Sequence, residues 1–557
     1  MILAIIRKRF TATMTLMVAI WAAAAGTALA KDIRWEPWSE SRPWLPGQRY
    51  EAEVPDTLDV AYRAELAINA ITGMVDLDEL GLGEIWGGGS FGCNPPSTAH
   101  GVGAGVMQPK VAESIAALRV MTGNALNLDV EKEMVDWLVR GLSKEDGLLY
   151  SLAKPDRPWY CIADKPESNC DYAYIYGQIR MMKFMIAYYQ YTRDPVWKDR
   201  IDKMVEGIDK KMALHKTDLT TGTTTGKRYA YMPFDGGVDK GDKNGYSTLG
   251  SCMARSGWSE RGREPLEEVE SSNEGSVFMD LGPYPGVLAQ WGQMSGNRRA
   301  LELAEEFKNF LMTKKFWGVR KGHHGKDLLG IERGAELGHW DGHFFGHMEA
   351  LRGLLEYAMV TNDPALMEFV RGGYEWTKQS NTWPSMWAVG KNGPPTVIPA
   401  IGFFDAHCGC TTPRVVSLAM RLSDAGVGDY WEDVDRYVRN NMVEVQTIDR
   451  TLLQKIVEGK ARGTGRPPTF TEDRVLERNI GGFAMSGNPT ETMLPKLPCT
   501  AHCCLPHGAW GLYYAWEGIV RCDKGVATVN LLLNRASPWM DIDSYLPYEG
   551  KVVIHNK

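Results

Sequence analysis

Four cysteines in two short stretches are the residues of this chain best suited to chemistry. Cys408 and Cys410 flank Gly409, and Cys503 and Cys504 adjoin each other about ninety positions later, with His407, His502 and His507 alongside. Sulfur and imidazole donors in such a group match the tetrahedral preference of zinc, which displaces the thiol proton when it binds. The cluster reads first as a metal site.

The start of the chain sharpens that reading. Arg7, Lys8 and Arg9 precede an apolar run through Trp21 and Ala25 that ends in Ala28-Leu29-Ala30. This order predicts a secretory signal peptide over 1–30, cut after Ala30, and a secreted or periplasmic protein. No later stretch has the roughly 18 to 20 apolar residues of a membrane span. Thiols in an exported protein ordinarily oxidise to disulfides, so close pairs that stay apart need a reason, and metal ligation supplies one. Among the other cysteines, Cys161 and Cys170 bracket a short loop suited to a disulfide. Cys93 and Cys252, both in Gly-rich loops, form a second candidate pair. Cys499 is near enough to Cys503 to be an alternative ligand, and Cys522 reads as a buried thiol.

With 557 residues, 44% of them hydrophobic, the chain can bury a large core, and its net charge of −7 argues against a nucleic-acid partner. Its nineteen tryptophans suit stacking on sugar rings, although tryptophan more often serves core packing. Apolar residues at 3.6-residue spacing predict helices over 111–123, 129–142, 172–192, 196–213, 284–294, 298–313, 343–360, 364–377, 413–423, 429–445 and 508–520. Between them recur Thr122-Gly123-Asn124, Thr192-Arg193-Asp194, Ser295-Gly296-Asn297 and Thr361-Asn362-Asp363. In each a hydroxyl is followed by Asn or Asp, whose side-chain oxygen suits the cap of the next helix. Recurrent hairpins of this kind predict a mainly α fold, an α/α toroid over 31–522. Long loops at 85–110, 214–282 and 315–338 are expected to cover one mouth. After Cys522 the composition turns to β type over 525–533 and 551–554. A short β appendix is expected over 523–557, packed on the toroid or forming the start of a β-sandwich.

Cys408-Gly409-Cys410-Thr411-Thr412, then Asp433-Val434 and Asn441, then Cys503-Cys504-Leu505-Pro506 with a helix and a strand after it, resembles the zinc-thiolate β-L-arabinofuranosidases of glycoside hydrolase family 127. The resemblance implies an (α/α)6 barrel followed by β-sandwich domains, a zinc cofactor and an oligosaccharide or polysaccharide side-chain substrate. It makes Cys503 the nucleophile and Cys410, Cys503 and Cys504 zinc ligands, with Cys408 in place of the family's glutamate. Gly342-His343 is similar to the family's Gly-x-His helix opening, which implies a sugar contact for His343. The family's His-Glu-x-Tyr-x-x-Gly-His is met only by the stretch from Asp171 to Gln178, so Tyr174 and Gln178 inherit sugar-facing positions and two histidines are missing. The family's acid/base glutamate has no counterpart either. Between Glu375 and Cys408 the one carboxylate is Asp405, with Glu336 or Asp341 reaching in from a loop as alternatives.

Two other readings use the same residues. Four thiolates also describe a closed structural zinc site in a non-catalytic glycan-binding or scaffold protein. A metal-free uronyl hydrolase or polysaccharide lyase on the same toroid would rely on Asp341, His343 and Tyr174.

Overall fold

The computed structural model describes residues 34–39, 57–77, 86–100, 108–150, 172–217, 226–233, 252–255, 257–258, 274–313, 344–379, 409–463, 470–485, 487, 492–493 and 498–557. The expected signal segment, the 161–170 disulfide, Asp405, Cys408, His343 and the side chain of Cys252 lie outside them.

Helix α1 (Val60–Gly73) precedes a series of hairpins, α2 (Gln108–Thr122) with α3 (Leu128–Gly141), and α4 (Ile175–Thr192) with α5 (Pro195–Gly207). Next come α6 (Glu274–Leu281) and α7 (Tyr284–Ser295) with α8 (Arg298–Leu311), then α9 (Phe344–Thr361) with α10 (Pro364–Gln379), and α11 (Thr411–Asp424) with α12 (Trp431–Tyr437). Two short helices, α13 (Arg450–Val457) and α14 (Val475–Arg478), lead to α15 (Cys504–Ile519). The first helix of each hairpin packs on the first helix of the next: α2 on α4, α4 on α6 and α7, these on α9, α9 on α11, and α11 on α15. Helix α15 then packs on α2, which closes the inner ring, while α1 covers both from outside. This is the (α/α)6 toroid.

The hairpin turns share one device. The terminal hydroxyls of Thr122, Thr192, Ser295 and Thr361 donate to the carbonyl four residues back at 2.7 to 2.9 Å. The next residue turns the chain with positive φ: Gly123 at 67°, Arg193 at 59°, Gly296 at 77° and Asn362 at 54°. The acceptor that follows caps the outer helix, Asp194 for Val196, Asn297 for Ala300 and Asp363 for Leu366. Asn124 instead accepts from Leu126, short of the start of α3 at Leu128. The space this leaves is filled by buried Arg119, which donates to the carbonyls of Asn124 and Leu126 and pairs with Glu131 at 2.9 Å.

Short antiparallel strands appear where loops are expected and, at Tyr172–Tyr174, in place of the first turn of the expected 172–192 helix. Trp86–Ser90 pairs with Ser97–His100, Leu214–Thr217 with Arg228–Tyr231, and Tyr172–Tyr174 with Cys252–Ala254. They are too short and too rich in glycine and polar residues to show a period of two. The C-terminal appendix holds a hairpin, Val520–Asp523 with Val526–Val529, and a three-stranded sheet of Arg535–Ala536, Met540–Ser544 and Val552–Asn556. It packs on the ring: Leu531, Leu533 and Ile542 belong to the one core cluster, and Arg535 donates to the carbonyl of Glu517 on α15 at 2.9 Å. Cys522 is exposed, because its strand lies at the rim of that hairpin, and Cys93 is a free thiol beside Ser97. The expected burial of the one and pairing of the other with Cys252 are therefore corrected. No helix among the described residues is long and apolar enough to cross a membrane.

The third inner helix is broken at Gly282-Pro283, where proline removes a backbone donor. Helix α9 crosses it there in backbone contact. A Cβ on Gly353 would stand 1.9 Å from the Gly282 carbonyl oxygen, and one on Gly282 would stand 2.7 Å from the Ala350 Cα. On the outside, His215 bonds Glu306 through Nδ1 and lies 3.1 Å from Asp209, while Arg299 binds both carboxylates. Hydrogen bonds that His215 donates to these acids, Asp209 first, raise its pKa to about 9. Gly353→Ala is expected to destabilise the protein by about 1–3 kcal/mol in chemical denaturation, whereas Gly550→Ala, which has open space, should not. Because the folded pKa of His215 exceeds the unfolded value, its contribution is complete below about pH 6.5. It is lost as pH rises through about 9, so the stability gap between wild type and His215→Gln should narrow across that window.

Candidate metal centre

The inner helices α11 and α15 begin at the cysteines. Cys410 is the N-cap of α11, Cys503 the N-cap of α15, and Cys504 the first residue of that helix. Both cap residues have right-handed helical backbone angles, so the adjacent Cys503 and Cys504 open a turn and send their sulfurs the same way. The Sγ atoms of Cys410 and Cys504 are 3.4 Å apart and those of Cys503 and Cys504 3.7 Å apart. All three lie within 4.8 Å of one another. A tetrahedral zinc with bonds near 2.3 Å requires edges of about 3.8 Å between sulfurs, and a disulfide requires about 2.05 Å. The spacing fits a shared ion, and adjacency of two thiols proves no obstacle to convergence.

Glycine makes this approach possible. A Cβ on Gly409 would meet the Ala484 oxygen at 2.9 Å and the Cβ atoms of Cys504 and Phe483 at 3.1 Å. Only a residue without a side chain fits between the two cysteine segments. Their relative height is set by backbone pairing: Gly409 N–H donates to Ala484, Ala484 bridges Thr500, and Thr500 N–H donates to Gly89. Asn479 Oδ1 fastens the strap by accepting from Gly89 N–H at 3.0 Å and from the Thr500 hydroxyl. Behind α11, Thr412 donates to Asn441 at 2.5 Å, and Asp433 accepts from Tyr374 at 2.9 Å. Thr412, Asp433 and Asn441 thus act in packing.

Of the histidines near the thiols, His407 lies outside the described residues, and His502 and His507 do not join the cluster. His502 Nδ1 donates to the Gly87 carbonyl at 2.8 Å. His507 Nδ1 accepts from Arg414 at 2.9 Å, which places the ring proton on Nε2. Burial, with Lys110 and Arg414 adding to it, keeps His507 well below its ordinary pKa, so the ring is neutral. Its Nε2 is buried without a hydrogen-bond partner among the described residues. Cys499 lies near Met485 and outside the sulfur group.

Two cations missed by sequence reasoning complete the surroundings. Lys110, at the start of α2, donates to the Cys503 carbonyl at 2.9 Å. Burial lowers its pKa, and the three thiols oppose that shift. Arg414, one turn into α11, binds His507 and also Glu349 at 2.6 Å. Arg180 of α4 holds the same Glu349 oxygen at 2.7 Å. Burial alone would raise the Glu349 carboxyl, yet the two arginines hold it at about 2. Both arginines fall within helix periodicity on faces that look like core, and their positions mark them only as lone charges in apolar stretches.

The sugar-facing expectations fare unevenly. Tyr174 is buried at the N-cap of α4. Gln178 is fully buried, and its amide accepts from Leu149 N–H and donates to the Leu149 and Tyr174 carbonyls. Its role is to pin the 142–149 hairpin, so its assignment as a sugar contact is corrected: the side chain is spent on backbone.

No protein-family model and no curated protein matches the sequence. Among solved structures, a family 127 β-L-arabinofuranosidase from Geobacillus stearothermophilus T6 aligns at 13% identity and a TM-score of 0.44, over 90% of this chain and 67% of that one. A second family 127 β-arabinofuranosidase aligns at 12% identity and 0.44, over 89% and 64%. Cellobiose 2-epimerase from Spirochaeta thermophila DSM 6192 aligns at 13% and 0.46, over 82% and 96%. The chain spans about two thirds of the length of the two family 127 enzymes. Likenesses this distant carry no argument about activity, and the ring rests on its own helix contacts.

Proposed function

We propose that the chain is an exported, zinc-dependent glycoside hydrolase of β-L-arabinofuranosidase type, acting on furanosidic or related sugars in oligosaccharide or polysaccharide side chains. The observation that carries the reading is the exposure of the three thiols. Cys410 and Cys504 are buried, and Cys503 is partly exposed. Two sulfurs restricted to ligation beside one that substrate can reach is what a metal-activated thiolate nucleophile needs. Cys410, Cys503 and Cys504 would hold the ion, with Cys408 as the fourth ligand. Zinc, when bound, would supply the acidity that keeps these thiols deprotonated at neutral pH.

The chain's own groups perform the reaction. The partial positive charge at the starts of α11 and α15 favours thiolate at both caps. Cys503 Sγ attacks the anomeric carbon as its bond to the leaving oxygen breaks, and Asp405, or Glu336 or Asp341 in its place, protonates that oxygen. Water, deprotonated by the same carboxylate, then displaces the sulfur from the sugar and regenerates the thiolate. Two inversions retain configuration. His343 and Tyr174 face the sugar in this reading, and the buried N–H of His507 supplies a neutral donor within electrostatic reach of Cys503.

Cys503→Ala is expected to abolish hydrolysis of an aryl β-L-arabinofuranoside while zinc content falls only partly; unchanged turnover removes Cys503 as nucleophile. Cys410→Ser and Cys504→Ser should lose most of the metal, read by elemental analysis of purified protein. Wild-type protein that cleaves the glycoside with no zinc would transfer the reaction to the metal-free reading.

A further inference from the structure

The bore of the ring holds a second cavity, of about 200 Å³, that the glycosidase reading leaves unused. It is lined from α2, α4, α7, α9 and α15, five inner elements, so it lies on the axis. Trp510 and Tyr514 follow Cys504 along α15, which puts them about 9 and 15 Å deeper at 1.5 Å per residue. The Arg180, Glu349 and Arg414 layer stands between the thiols and this space. Exposed Gln190 marks its outer rim.

The lining is rich in donors that nothing in the protein satisfies. Lys183 makes no hydrogen bond or ion pair among the described residues. Arg352 Nη1 and Trp510 Nε1 are both buried without partners. Of the acceptors, Glu349 and Glu356 are committed, while Glu113 Oε2 faces Arg180 without a hydrogen bond among the described residues. Glu349 is held by Arg180 and Arg414, Glu356 by Arg352 and Arg421, and Glu113 lies 3.5 Å from Arg180. Glu113 and Glu349 offset the Lys183 charge only through space, and a partly buried ammonium with no hydrogen-bond partner of its own is costly. Burial, with Arg180 adding to it, brings the Lys183 pKa down to about 7. Ile186, Val287 and the Trp510 ring also line the cavity and offer surface suited to carbon.

We propose that this rear cavity is a binding site for a small organic monocarboxylate, its carboxylate taken by Lys183, Arg352 and Trp510 and its carbon skeleton set against Ile186 and Val287. One ammonium, one N–H of a guanidinium already balanced by Glu356 and one indole N–H match a single negative charge, and the apolar lining favours an organic acid over an inorganic ion. The site is separate from the thiols and stands whether or not Cys503 is a nucleophile.

The test is thermal unfolding of the full chain at constant ionic strength with propanoate, its uncharged isostere propanamide, and inorganic phosphate. Propanoate is expected to raise the midpoint with saturation at pH 6.5, and less at pH 8.5, where Lys183 has shed its proton. Propanamide and phosphate should leave the midpoint unchanged. Lys183→Met should keep its zinc, fold at least as stably as wild type, and bind propanoate at least tenfold more weakly. Trp510→Phe, which keeps the ring and loses the N–H, should weaken binding severalfold. An equal response to propanamide, a full response in Lys183→Met, or no response to propanoate overturns the proposal. An equal response to phosphate overturns the assignment to carboxylates.

Discussion

Three charged groups and one neutral imidazole, from four different inner helices, meet in the middle of this ring, and the arrangement of everything around them depends on that meeting. Arg180, Glu349, Arg414 and His507 come from α4, α9, α11 and α15, and the first three are almost completely buried. A buried carboxylate with two guanidinium partners is a poor source of net stability, since desolvation offsets most of the attraction. It is a strict source of geometry, because any shift that separates one pair strands a charge in the core at a cost of about 3–5 kcal/mol. The layer therefore fixes the rotation of α11 and α15 about their own axes. Those are the helices that open at Cys410 and at Cys503, so the positions of the sulfurs are inherited from the layer beneath them.

The ring also gives its two ends different chemistry. The inner helices run in one sense, with their N-termini at the thiol mouth, where oriented N–H groups favour negative charge. A cluster of thiolates is stabilised there and would be repelled at the opposite end. The central layer, partly sealed by the rings of Phe345 and Tyr176, separates that anionic mouth from the donor-lined cavity behind it. One barrel thus presents two polar environments of opposite character on a single axis.

Much of the ring was legible in the chain. The hydroxyl, positive-φ residue and Asn or Asp recur because each does a fixed job at a helix hairpin, so their repetition announces the toroid before any contact is known. The thiols were legible for the same reason: few structures call for Cys-Gly-Cys and Cys-Cys together. Helix α1 escaped notice, since it is buried on nearly all sides and its polar residues Arg63, Glu65, Asn69 and Thr72 are scattered among the apolar ones, leaving no periodic stripe. The straps built from residues 86–100, 479–485 and 498–501 escaped too, because strands of four or five residues and single bridges leave no pattern. Gln178 was misread since a buried amide that satisfies backbone looks, in sequence, like one offered to a ligand. Lys110 and Arg414 were invisible for a related reason: a cation in a helical stretch reads as solvated until the ring closes over it.

The closing of that ring by α15 sets an order of events in the life of the molecule. Cys410 is made well before its partners, and at ordinary synthesis rates of about 5–20 residues per second the interval is about 5–20 s. Throughout it Cys410 lacks the Cys503-Cys504 pair, and α11 has no neighbour on one side. Only when the last inner helix slots between the first and the fifth do the three sulfurs become one group. Assembly of the sulfur cluster is therefore a late checkpoint in maturation, and it registers that both ends of a long chain have found each other.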